Sequence, residues 1–360
     1  MQLRIPGPTP IPPEVQQALS RDMINHRGPE FAVIIRELTA GLKRWFQTEN
    51  DVFILTASGS GGMEAAIANT FSPGDRVLAV SIGAFGDRFA ELARVYGADV
   101  VKLDFPLGAV ADPAEIRRRL AADPSIKALL VTHNETSTGV TNDMPAIAEA
   151  VHGASEALIV VDAISSLGSI DLPTDKLGLD VVITASQKGW MVPPGLTMLS
   201  YSQRAWEAHS SAKNPRFYFD LTRAKRYLEI GQTLATPAVS LFFAFQVALK
   251  MLDAEGMQEV FARHARAARR AREGVRSLGL ELFAKDLTYV SNTVTAVNNP
   301  PGVDGAKLLK VLREKYGVVL SGGQASLAGK IFRIGHLGLV DVADMDQVID
   351  ALAQALPEAR

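Results

Sequence analysis

The chain has 360 residues, 47% of them hydrophobic and 21% charged, with a formal net charge of −2. That is enough apolar material for one large core or two moderate ones, and it supplies no global positive field of the kind that holds nucleic acid or an anionic membrane. The absence of cysteine excludes disulfides, thiolate metal ligation and any thiol nucleophile.

The opening MQLRIPGPTP lacks the charged and apolar blocks of a signal peptide, and the apolar runs are too short to cross a bilayer, so the expectation is a soluble cytoplasmic protein. From Val52 to Asp180 short apolar runs (VFIL, RVLAV, KALLV, ALIVV, DVVIT) alternate with helix-like segments such as Asp87 to Tyr96 and Met144 to His152. This alternation predicts an α/β fold with a mostly parallel sheet covered on both faces. Long helices are expected over Val239 to Leu252 and Met257 to Leu278. An α+β pattern follows, with strands over Tyr289 to Val297, Val318 to Ser321 and Lys330 to Ile334 and a helix over Gly305 to Tyr316. The expected division is a large domain over 16–255 and a small C-terminal domain over 256–360, with the proline-rich segment 1–15 joining the latter.

In open α/β sheets ligands gather beyond the carboxyl ends of the strands, which directs attention to the polar residues after each apolar run. Thr56-Ala57-Ser58-Gly59-Ser60-Gly61-Gly62 follows VFIL and precedes a helix. Such a turn suits a phosphate, and equally a turn with no ligand; with no Gly-Lys-Ser/Thr it is not a Walker loop. Asp162 follows ALIVV, where it is either a helix-cap aspartate or a buried carboxylate in need of a cation. Lys188, in Ser186-Gln187-Lys188-Gly189-Trp190, reads alone as a surface lysine. Thr132-His133-Asn134-Glu135-Thr136-Ser137-Thr138-Gly139 reads alone as a polar site or a surface loop. One cofactor explains all four places together. Pyridoxal 5′-phosphate (PLP) needs a phosphate cradle, a carboxylate for its pyridine nitrogen, a Schiff-base lysine and donors for its phenolic oxygen.

Taken with Pro6-Gly7-Pro8-Thr9, TASGSGGMEAA, THNETSTGV, VDAISSLG, SQKGWMVPPG, ATPAVSL and FRIGHLG, the chain resembles the class V, fold type I PLP-dependent aminotransferases of the alanine–glyoxylate, serine–glyoxylate and serine–pyruvate group. The likeness extends over nearly the whole chain. It implies a large domain with a mostly parallel, seven-stranded type of sheet and a smaller α+β C-terminal domain. It assigns the Schiff base to Lys188 and the pyridine nitrogen to Asp162. Ser58, Gly59 and Ser60 fall on the phosphate loop, Gln187 beside the lysine falls as another phosphate contact, and Thr136 falls near the phenolic oxygen. Phe85 falls where the family stacks an aromatic ring, often tryptophan, on the cofactor. Gly7 and Arg333 fall at the substrate, Arg333 on its α-carboxylate. Read from the residues alone, Arg333 serves equally as half of a buried ion pair. Thr236 falls in the segment that reaches the neighbouring subunit's phosphate, which implies a homodimer with shared active sites.

The resemblance thus implies ping-pong transfer of an amino group from alanine or serine to glyoxylate or pyruvate. An aspartate-type aminotransferase, a PLP lyase, and a non-catalytic interaction protein on the same fold are the other readings; some members of the family carry the name of hydrogenase-associated subunits. A cysteine desulfurase is excluded by the missing thiol. Arg27 is the candidate cation for a distal carboxylate, and its alternative reading is a structural pair with Glu30 or a solvated side chain. His26, His133, His152, His209, His264 and His336 lack metal-ligand spacing, and no metal is expected. The arginines from Arg263 to Arg276 read as a solvated helix face rather than a nucleic-acid surface.

Overall fold

The computed structural model describes all residues, 1–360. Its centre is a seven-stranded sheet of β1 (Asp51–Ala57), β2 (Arg76–Ser81), β3 (Asp99–Asp104), β4 (Ile126–Thr132), β5 (Leu158–Asp162), β6 (Val181–Ala185) and β7 (Gly195–Tyr201). Their spatial order is β1-β7-β6-β5-β4-β2-β3. Six strands run parallel, and β7 alone is antiparallel to both of its neighbours.

The apolar runs are continuous because both faces are covered, and the period of two divides each run between two cores. Val52, Ile54, Leu129, Val131, Ile159 and Val161 face one core, built with the helices Pro29–Phe46, Met144–His152 and Val239–Glu255. Phe53, Leu55, Ala128, Leu130, Leu158 and Val160 face the other, built with the helices Gly59–Thr70 and Ala84–Val95. No helix is long and apolar enough to cross a membrane.

A second, three-stranded antiparallel sheet has β10 (Ile331–Gly335) between β8 (Val294–Asn298) and β9 (Ser321–Gly322). It packs with the helices Met257–Ser277, Gly305–Lys315 and Val342–Glu358 around a third core. We propose that the chain divides into a large domain over 16–255 and a small one over 256–360, with 1–15 joined to the small one. The N-terminal segment supports this: Gln2 and Leu3 pair with Val318 and Val319, Arg4 pairs with Asp344, and the Gly335 N–H donates to the Arg4 carbonyl at 2.7 Å. A side chain at position 335 would fall on the Ile5 carbonyl, so this crossing requires glycine.

Two expected strands differ. Tyr289 ends a 3-10 turn, and the ladder begins only at Val294, because the Ser291 hydroxyl accepts the N–H groups of Thr293 and Val294 in a tight turn. The run from Val318 to Ser321 serves two sheets, with Val318–Val319 on the N-terminal segment and Ser321 on β10. The arginine-rich helix is mostly a surface face, with Arg263, Arg266 and Arg270 paired to Glu255, Glu259 and Asp346. Arg272 differs by turning inward to donate to the Ser291 carbonyl.

Candidate active site

The carboxyl ends of β1, β2, β4, β5 and β6 open into a cavity of about 250 Å3. Its walls include Gly7, Ser58, Gly59, Ser60, Phe85, Thr136, Asp162, Gln187 and Lys188. Nine of the residues singled out in the sequence therefore meet at one place, as the open-sheet rule requires. Two do not line it. Thr236 is exposed elsewhere on the chain, and Arg333 stands behind the wall, donating to the Thr136 carbonyl at 3.2 Å and to Gln324 Oε1 at 3.1 Å.

Asp162 ends β5 and is 3% exposed. Its Oδ1 accepts the Ile164 N–H at 2.9 Å, and it takes part in no ion pair. Burial pushes its carboxyl up to about 6; the Ile164 N–H opposes that rise, Glu135 adds to it, and Lys188 and Arg88 oppose it. A buried acid of this kind gains from any cation or N–H donor brought beside it.

Lys188 follows β6 on a turn in which the Met191 N–H returns to the Lys188 carbonyl, with Met191 in the left-handed region at φ 59°. Its Nζ donates to the Pro6 carbonyl. Burial brings the ammonium down to about 8; Asp162 resists this, while Arg333 and Arg88 push further down. The N-terminal segment passes directly over this amine. At Gly7 φ is +108°, and an added Cβ would lie 2.7 Å from Lys188 Nζ, so only glycine fits.

The Ser58–Ser60 turn opens the helix Gly59–Thr70, and no side chain caps its first N–H groups, which stay available to an anion. Close by, Gln187 Oε1 is buried without a hydrogen-bond partner. Opposite, Asn134, Thr136 and Ser165 form a hydroxyl–amide network: Asn134 Nδ2 and Thr136 Oγ1 donate to Ser165 Oγ at 2.8 and 2.9 Å, and Ser165 Oγ donates to the Asn134 carbonyl at 2.9 Å. His133 beside them is buried, and burial pushes its imidazole down to about 4.

Arg333 is 4% exposed and pairs with no carboxylate. Its remaining acceptor is the Gly322 carbonyl, 3.0 Å from Nε. The structural ion pair that the sequence left open is absent: the guanidinium donates only to neutral oxygens, while Glu135 supports its charge from beyond hydrogen-bond distance. Arg27 donates to Gln232 Oε1 and the Thr233 carbonyl, both at 2.8 Å, and lies over the Tyr227 ring rather than beside Glu30.

Sequence reasoning missed four participants. Glu135, fully buried, lay in plain view inside THNETSTGV; Arg88, Ser165 and Gln324 line the cavity with it nearby. Arg88 had one available signal, since it stands one helical turn after Phe85 and its guanidinium lies 5.0 Å from that ring.

Fold and site together define a PLP-dependent aminotransferase. The family model described as Aminotransferase class-V matches residues 5–340, and the chain belongs to that family. It is 44% identical over 359 residues to the soluble hydrogenase small subunit of Synechococcus sp., covering 99% of this chain and 93% of that one. It is 39% identical over 339 residues to the L-aspartate–glyoxylate aminotransferase of Paracoccus denitrificans, covering 93% and 85%. The crystal structure of an alanine–glyoxylate aminotransferase from Nostoc sp. matches with TM-score 0.94 at 32% identity, over 98% of this chain and 94% of that one.

Proposed function

We propose that this aminotransferase carries an amino group from alanine or serine to glyoxylate or pyruvate in two half-reactions, the first keto acid leaving before the second arrives. When bound, PLP supplies the carbon that takes the amino group and a ring that accepts the charge left at the substrate Cα. The residues around the cavity fit it. The free N–H groups at Ser58, Gly59 and Ser60 suit its phosphate, and Gln187, which lines the same cavity, would meet it through its amide NH2. Asp162, a buried acid without a cation, suits the protonated ring nitrogen, and that partner in turn restores Asp162 to its charged form. Phe85 would cover the ring, and the Thr136–Ser165 hydroxyls would serve its phenolic oxygen. Lys188 would hold the cofactor and, when its amine is free, would carry the Cα proton; with its ammonium brought down to about 8 it is suited to act as a base.

The observation that carries the substrate class is Arg333, a buried cation without a carboxylate, placed behind Thr136 and Gln324 where an α-carboxylate would arrive. Gly7 leaves room for that substrate above Lys188. The alanine–glyoxylate relative supports small partners. A second reading, an aspartate-type donor, is favoured by Arg88, which lines the cavity and forms no ion pair. The Synechococcus relative carries the name of a hydrogenase subunit, but in this chain the meeting of Asp162 and Lys188 in one cavity speaks for transamination. Thr236, exposed and outside the cavity, supports a homodimer in which it closes the partner's phosphate site. The test is a panel of alanine, serine and aspartate against glyoxylate and pyruvate. Alanine or serine with glyoxylate is expected to give the highest kcat/KM; aspartate leading the panel would establish the second reading.

A further inference from the structure

Gln324 sits at the cavity mouth, exposed, between the buried charge of Arg333 and the space above Lys188. Its backbone is fixed there. The Gly323 N–H donates to the Ile331 carbonyl at 2.9 Å, and the Leu327 N–H returns to the Gln324 carbonyl at 2.9 Å. The intervening Ala325 is held at φ 49°, in the left-handed region. The amide orientation follows from its neighbour. A guanidinium has only donors, so Oε1 must face Arg333 Nη1, 3.1 Å away, and the NH2 end is turned outward. Nε2 finds no acceptor in the chain, although the residue lines the cavity.

We propose that Gln324 is a substrate-binding residue: its Nε2 donates directly to the substrate carboxylate, and Arg333, behind it, supplies charge through the same amide. This rests on the carboxylate role given above to Arg333 and deepens it. The arrangement explains why Arg333 does not itself line the cavity, since Thr136 and Gln324 form the wall in front of it. An amide polarised by a buried cation is a stronger donor than one in water. A donor to a charged carboxylate is worth about tenfold in affinity when lost.

Two substitutions separate direct donation from mere support of Arg333. Gln324→Glu keeps an oxygen for Arg333 but replaces the outward NH2 with a second, negative oxygen; Gln324→Leu removes both ends. The probe is 2-methylalanine, which has no Cα hydrogen and so binds the PLP-loaded protein without turning over, followed by the change in cofactor absorbance. The expected order is parent tightest, Gln324→Leu about tenfold weaker, and Gln324→Glu weaker still. A Gln324→Glu protein that binds as well as or better than Gln324→Leu would mean that the amide only supports Arg333. A Gln324→Leu protein that matches or exceeds the parent would mean that it is displaced by substrate. Either result overturns the proposal. Arg333→Ala is the control: if it weakens the probe and Gln324→Leu does not, only this inference fails, whereas no loss in Arg333→Ala removes the underlying carboxylate site.

Discussion

Glu135 closes the N-terminal end of the helix that carries Phe85. Its carboxylate accepts the main-chain N–H of Phe85 and of Gly86 at 3.1 Å, and also the Ser137 N–H at 3.1 Å and hydroxyl at 2.5 Å. A buried acid thus does for this helix what a capping side chain does elsewhere, and it fixes the ring of Phe85 over the cavity. Glu135→Ala leaves several buried donors without an acceptor and is expected to lower stability by about 3 kcal/mol or more. Urea unfolding of the apo protein measures this, and cofactor affinity should fall in parallel as Phe85 loosens.

Asp162 makes apo stability depend on pH. Its folded value, about 6, lies above the ordinary 3.8, so the folded chain holds a proton that the unfolded chain has already released. Its contribution is fully present below 3.8 and is lost as pH rises through about 6; beyond that the ionised acid costs the apo fold up to about 3 kcal/mol. Apo Asp162→Asn should therefore gain on the parent as pH rises across that window. Adding PLP should reverse the advantage, because only the parent acquires a charged partner for the ring nitrogen. Denaturant midpoints across that window, with and without PLP, read both effects.

Only a neutral amine attacks an aldehyde, and Lys188 is held near a pKa of about 8. The rate of cofactor uptake by apo protein should rise with pH through that value and then level off, as followed by absorbance in rapid mixing. In Lys188→Ala the borohydride-fixed cofactor should disappear and turnover should fall by several orders of magnitude.

Arg27 and Arg88 make opposite predictions for a dicarboxylate donor. Arg27 is occupied by Gln232 and the Thr233 carbonyl, so Arg27→Ala should leave the ratio of kcat/KM for aspartate over alanine unchanged. Loss of that clamp frees the segment leading to Thr236 and should instead weaken PLP binding in the proposed dimer. Arg88→Ala should reduce whatever aspartate activity the parent has, about tenfold or more, while sparing alanine. Steady-state ratios in the three proteins decide between the two arginines.

Strands were legible where their physics is local. ALIVV and DVVIT are continuous because two helical layers cover them, and their polar successors, Asp162 and the Ser186–Lys188 turn, had to emerge on one edge. The strand Gly195–Tyr201 was hidden: a run opened by two prolines looks like a loop until β1 and β6 pair with it on both sides. Glu135 and Gln324 were illegible for a different reason. Each draws its meaning from a partner far along the chain, Phe85 for one and the cavity above Lys188 for the other, and no periodicity encodes such a meeting. Arg333 was visible as an arginine on a strand, but whether it met a carboxylate depended on the surrounding loops.

The crossing at Gly335, where the chain passes against Ile5 on its way to Gly7 and Lys188, ties the two extremes of the sequence to the same few ångströms of space. Contacts of such high sequence separation close late, because the loop entropy must be met before they contribute. The central sheet and its helices can therefore assemble with the lysine still uncovered, and the roof over it arrives only when β10 has taken its place. Emergence of a competent catalyst should lag behind emergence of secondary structure, a delay written into the route of the backbone rather than into any single side chain.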